Sequence, residues 1–218
     1  MTGIEQFNPL ILTLFLAGLT LLPIFMIICT CFLKISMVLL LTRNALGVQQ
    51  IPPNMALYGI ALAATMFVMA PTWNNISDIM TAIPPELQSS EKLKYFYNEG
   101  LAPLKHFMST NTDPAIVDRI IESGMRIWPK EMHINSDKQN IFIIIPGFVL
   151  SELQSAFKIG FIIFIPFLAI DLIVSNILLA LGMQMISPIM VSLPIKILLF
   201  VAVNGWTRLL EGLFLNYQ

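Results

Sequence analysis

The chain has 218 residues, of which 11% are charged and 56% hydrophobic, against about 25% and about 45–50% in an ordinary soluble domain. So little polar surface excludes a water-soluble globule. A net charge of −1 with a pI of about 6.1 gives no basic face for nucleic acid, and a mean hydropathy of +0.79 marks a membrane-embedded chain.

The charges are segregated. Residues 78–138 hold nine acids and seven bases, and the remaining charges are spread thinly over the rest of the chain. The expectation is therefore an all-α protein in three parts. Residues 1–77 form two apolar helices, residues 78–140 a small solvated helical domain, and residues 141–218 further apolar helices in hairpins.

Residues 10–33 carry no charge, a run long enough to span a bilayer core, for which about 20 residues suffice. Glu5 precedes this run, no base does, and no small-residue cleavage site follows, so it reads as a retained helix rather than a secretory signal. It is expected to continue through Lys34 towards Leu41. Cys29 and Cys31, two apart on such a helix, point to nearly opposite sides and read as small buried hydrophobes. A polar turn follows at residues 42–54, where Pro52 and Pro53 stop one helix and start the next. The second apolar run is residues 55–73, with Gly59 and Ala63 on a small face that admits a close neighbour.

In the solvated part, Leu93, Phe96, Tyr97, Leu101, Leu104 and Met108 recur at helical spacing, with Pro103 able to split the run. Asp113-Pro114 is an N-cap followed by proline at the first helical position, and the helix it starts ends at Pro129. His106 and His133 read as surface residues. Residues 141–181 are apolar again, too long for one span, and suit two helices or a hairpin. A short loop near residues 182–188 leads to a final apolar stretch, residues 189–206, containing Pro194 and Lys196.

Five charges lie in or beside apolar helices: Lys34, Glu152, Lys158, Asp171 and Lys196. An ionised group at the bilayer centre costs at least about 2.5 kcal/mol, so each must face protein or water. Glu152 and Lys158 are six apart, which leaves them about 120° apart on a helix and outside the i, i+4 geometry that lets side chains meet. Partners must come from other helices or other subunits. For Lys34 and Lys196, snorkelling to the interface is the competing reading. Motifs for an acyl-transfer serine, a zinc protease, a phosphate loop or a cysteine cluster do not occur, so neither enzyme activity, a cofactor nor a metal is expected.

Three stretches resemble one family. The first is Arg43-Asn44-Ala45-Leu46-Gly47 with Gln49, Gln50, Pro52, Pro53 and Asn54. The second is Ser151-Glu152-Leu153 followed by Ala156-Phe157-Lys158-Ile159-Gly160-Phe161. The third is Pro194-Ile195-Lys196, an aliphatic run, and Asn204-Gly205-Trp206. In this order and at these separations they resemble the bacterial type III export subunit called FliP in flagella and SctR in injectisomes, the injectisome branch more closely. The resemblance implies a multi-pass inner-membrane protein whose copies form a ring, a pentamer in this family. Two smaller apolar subunits (FliQ- or SctS-like and FliR- or SctT-like) and larger export-gate and switch subunits would join it, with membrane lipid around it. Together they would form the entrance for unfolded secreted proteins, assembled largely on the periplasmic side. It further implies that the loop Met183-Gln184-Met185 closes the pore, although many relatives carry an unbroken methionine run where this chain has Gln184. From composition and buried charge alone, a small ion- or proton-coupled transporter relaying through Glu152, Lys158 and Asp171 remains the rival, with a purely structural scaffold behind it.

Overall fold

The structure is a computed structural model that describes residues 9–48, 50–83, 95–129 and 140–217, and every regular element among them is helical. In chain order these are α1 (Pro9–Cys29), α2 (Phe32–Leu46), α3 (Asn54–Thr81), a short π-helical turn (Phe96–Gly100), α4 (Ala102–Thr110), α5 (Pro114–Ile127), α6 (Ile141–Ala180), α7 (Pro188–Ala202) and α8 (Gly205–Leu215). By length and composition, α3 and α6 suffice to cross a membrane, as do the bent pairs α1/α2 and α7/α8 if each is one broken span.

The first helix does not run on to Leu41 as its composition suggested. It bends by 73° between α1 and α2, and the cause is local. The Thr30 hydroxyl donates to the Met26 carbonyl and accepts from the Phe32 amide, offering the backbone an alternative to the helical ladder. Cys29 and Cys31 flank this break, both buried and free. They join a core built from Ile35 and Leu39 of α2, Leu57 and Met69 of α3, and Phe148 of α6.

A second correction concerns residues 141–181, which form one helix of 40 residues rather than two. At 1.5 Å per residue α6 is about 60 Å long, about twice the thickness of a hydrocarbon core. Pro146 and Pro166 lie inside it without ending it. Away from water a freed backbone group has no solvent partner, so continuing the helix costs less than breaking it. The hairpin forms one element later, where α7 folds back on α6.

Other boundaries follow local chemistry. Asp113 accepts from the Ala115 amide at 2.9 Å and caps α5, as its Asp-Pro pair predicted. Pro103 sits in the first turn of α4, just after the π-helical turn. Helix α3 continues past Asp78 to Thr81, and Leu104 and Met108 of α4 pack into the same core as α2 and α6. Between α7 and α8 the chain bends by 59° at Asn204, a left-handed residue with φ of 52°. His106 is exposed, while His133 and Leu93 lie outside the described residues.

Candidate functional site

Helix α6 is the spine on which the charged residues are arranged. Near its start, the Lys34 Nζ of α2 lies 2.9 Å from Glu152 Oε1 and donates to Asn216 Oδ1 at 2.8 Å. It also sits 3.8 Å above the centre of the Tyr217 ring, and the Tyr217 hydroxyl donates to the second oxygen of Glu152. Lys34 is 3% exposed and Glu152 1%. The ammonium therefore meets two oxygens and a ring face, the two groupings that stabilise a cation away from water. Lys34 does not snorkel.

The same cluster reaches α4 and α5. Tyr217 stacks on Phe107 of α4 at 5.9 Å between centroids, and Phe107 meets Phe148 of α6 edge-on at 5.8 Å. Beside Glu152, the Ser151 hydroxyl accepts from the Asp113 amide at 2.9 Å. The start of α5 is thus fastened to α6 one residue from the buried carboxylate.

A second cluster lies nearer the far end of α6. Lys196 of α7 reaches Asp171 Oδ2 at 2.5 Å, and the Ser192 hydroxyl one turn before it donates to Oδ1 at 2.6 Å. Lys196 also donates to the Ala45 carbonyl at 3.4 Å, at the C-terminal end of α2. It is 4% exposed, so the snorkelling alternative fails here too. Glu152 and Asp171 are nineteen residues apart, about 28 Å along the helix, and each has its own lysine.

The first motif stretch is a turn held by its arginine. Arg43 Nη1 donates to the Pro52 carbonyl at 3.1 Å and to Asn54 Oδ1 at 2.6 Å, bridging the end of α2 to the start of α3. Gly47, with φ of 78°, ends α2 in a left-handed cap and returns its amide to the Asn44 carbonyl at 3.0 Å. Gln50 is left-handed at φ 64°, the Ile51–Pro52 bond is cis, and Pro53 precedes α3 in extended geometry. Gln49 lies outside the described residues. Gly160 lets α6 approach Leu41 of α2, where a methyl group would collide. Gly205 likewise leaves room for the Phe200 ring, which Trp206 meets edge-on at 5.2 Å. Pro194 lies on the exposed side of α7.

Two of the singled-out features are left facing outward. The loop between α6 and α7 turns at Gly182, φ 72°, and presents Met183, Gln184 and Met185 to the surface, with Met185 99% exposed. Lys158 is also exposed and makes no ion pair among the described residues, whereas Glu152 is paired with Lys34 of another helix. Reasoning from sequence missed Tyr217, Asn216 and Ser192. Only Ser192 carried a signal, being four residues before Lys196 and so on the same helical face.

This architecture defines a membrane-type helical protein in which two buried charge pairs cross-link its own helices, and whose exposed apolar helices ask for lipid or further protein. Residues 15–213 match the model of the FliP family, and the chain belongs to that family. It is similar to a harpin secretion protein, HrcR, of Erwinia amylovora, 61% identical over 213 residues and covering 98% of both chains. It is also 45% identical to Yop proteins translocation protein R of Yersinia pestis over 206 residues, 94% of this chain and 95% of that one. The surface presentation of antigens protein SpaP of Salmonella typhimurium is 40% identical over 218 residues, 97% of each. The family read from the three motif stretches is the right one, and these relatives belong to its injectisome branch.

The first cluster generates a direct prediction. Lys34→Met leaves Glu152 buried without its cation and should destabilise the detergent-purified chain by about 3–5 kcal/mol. Combining it with Glu152→Leu should recover most of that loss, and Tyr217→Phe alone should cost about 1–3 kcal/mol. Thermal unfolding followed by circular dichroism reads all three. Losses that simply add in the double variant would show that the two charges do not depend on each other.

Proposed function

We propose that the chain is a core subunit of a type III secretion export apparatus in the bacterial inner membrane. Copies of it form a ring, a pentamer on the family resemblance, with two smaller apolar subunits and beside larger export-gate and switch subunits. The ring is an entrance pore for unfolded secreted proteins. The observation that carries the pore reading is the exposed methionine loop at the turn of the α6–α7 hairpin, with the Asp171–Lys196 pair bracing the hairpin below it. The secretion and translocation names of relatives matched over nearly their whole length support the same reading.

Thioether side chains suit such a loop because they are apolar, unbranched and flexible, and so conform to varied polypeptides. A ring brings one loop per copy to a common axis, and small changes per subunit are multiplied there. The transporter reading is weakened by the spacing of its supposed relay. Glu152 and Asp171 stand about 28 Å apart along α6, each already bonded to a lysine, and Lys158 between them faces outward.

The short turn carrying Arg43 faces the cytoplasm by the positive-inside rule, which puts residues 78–140 on the periplasmic side after α3. A cysteine at exposed Ser109 should therefore react with an impermeant reagent in cells with an intact inner membrane; reaction only after permeabilisation would invert the topology.

Shortening the gate provides the functional test. In cells making the full complex, Met183→Ala with Met185→Ala should admit a small impermeant solute while the complex assembles at normal yield. Gln184→Met should leave the seal intact or tighter. A correctly assembled double-alanine complex that stays sealed would return these methionines to the role of packing filler.

A further inference from the structure

Once the two buried pairs are assigned, Lys158 stands out as the cation on α6 left without a partner among the described residues. It lies beside a polar cavity of about 370 Å³ whose walls include Thr110, Asp113 and Ser155. Phe157 and Phe161, its neighbours on α6, are exposed apolar side chains. The same cavity is bordered by Lys34 and Glu152, whose charges already answer each other, so Lys158 is left without an ion pair of its own among the described residues and is open to one from a neighbouring copy.

The chain carries a carboxylate in the same predicament. Glu211 of α8 is exposed, makes no ion pair among the described residues, and borders a different cavity, between α3 and α8, lined by Phe67, Pro71, Asn74 and Phe214. Its height along α6 can be read from the contacts of α8. Asn216 shares Lys34 with Glu152, and Trp206 belongs to the apolar cluster of Ile163, Phe167 and Phe200, so α8 runs in the opposite direction to α6 across a cavity that Ile159 and Ile163 share with Leu209 and Gly212. Glu211 is five residues from Asn216, and Lys158 is six from Glu152. At 1.5 Å per residue Glu211 lies about 7.5 Å and Lys158 about 9 Å from the Lys34 cluster, in the same direction. An unpaired cation and an unpaired carboxylate thus sit at one level, bordering different cavities.

We infer that in the assembled ring Lys158 of one copy is answered by Glu211 of the next. This rests on the ring proposed above and names its contact. Successive copies around an axis meet through two different patches of the same chain, and a charge at matching height on each patch fixes their vertical register. Opposite charges meeting in a partly desolvated interface favour that register, and like charges disfavour it strongly.

The test uses the complex with all its partners, extracted in mild detergent. Lys158→Glu and Glu211→Lys should each lower the yield of the high-mass complex by about tenfold, and the double swap should restore it to within about twofold of wild type. Neither single change should alter the unfolding temperature of the isolated chain, since both side chains are exposed and unpaired there. Lys158→Cys with Glu211→Cys should give copies cross-linked to one another on oxidation. Single reversals that assemble normally, or a double swap without rescue, would overturn the pairing. So would cross-links that go only to another protein, or a Lys158 defect that follows anionic lipid content instead of position 211. A wild-type chain that never yields a complex above monomer mass would overturn the ring itself, a different failure.

Discussion

Lys34 and Glu152 are both out of water, and neither charge is tolerable there alone. Their meeting fixes α2 against α6 at one register, because a slip of one residue on either helix turns the side chain away by about 100° and strands both charges. Asn216 and Tyr217 complete the cluster from the C-terminal end of the chain, so α8 is tied to the same point. Through Phe107 the tyrosine ring also touches α4, and Ser151 holds the start of α5 alongside. A buried ion pair adds little net stability over apolar residues of equal volume. What it adds here is intolerance of any other arrangement among helices that would otherwise slide on smooth apolar faces.

The Asp171–Lys196 pair repeats the device about 28 Å further along α6. It fixes α7 as the return strand of a helical hairpin, and the Ala45 carbonyl joins the end of α2 to it. Between these two points α6 is held as a frame. The features that face outward, the methionine loop and Lys158, are those that internal packing does not use. With both buried charge pairs satisfied within the chain, exposed charges without an ion pair, such as Lys158 and Glu211, are where further subunits have to be sought.

Much of this was legible in the sequence. The apolar runs, the Asp113-Pro114 cap and the proline-marked turn at residues 52–53 all depend on chemistry within a few residues. The bend at Thr30 was not legible, because one hydroxyl competing for two backbone groups leaves no trace in apolar periodicity. The unity of α6 was hidden for the opposite reason: Pro146 and Pro166 carry a breaking signal that a water-poor environment overrides. The partner of Lys34 lies 118 residues away in the chain, on a helix whose own spacing gives no hint of it. The family motifs named many of the right positions, yet the geometry gives them varied work: a cap at Gly47, close approach at Gly160 and Gly205, a turn clamp at Arg43.

The claim on which the rest depends is that these charge clusters are internal to one subunit. A structure of the mildly extracted complex by electron cryomicroscopy tests it most directly. It should show Lys34 bonded to Glu152 and stacked on Tyr217 of the same chain, and Lys196 bonded to Asp171 of the same chain. Either lysine paired instead with a carboxylate of a neighbouring copy would contradict the account.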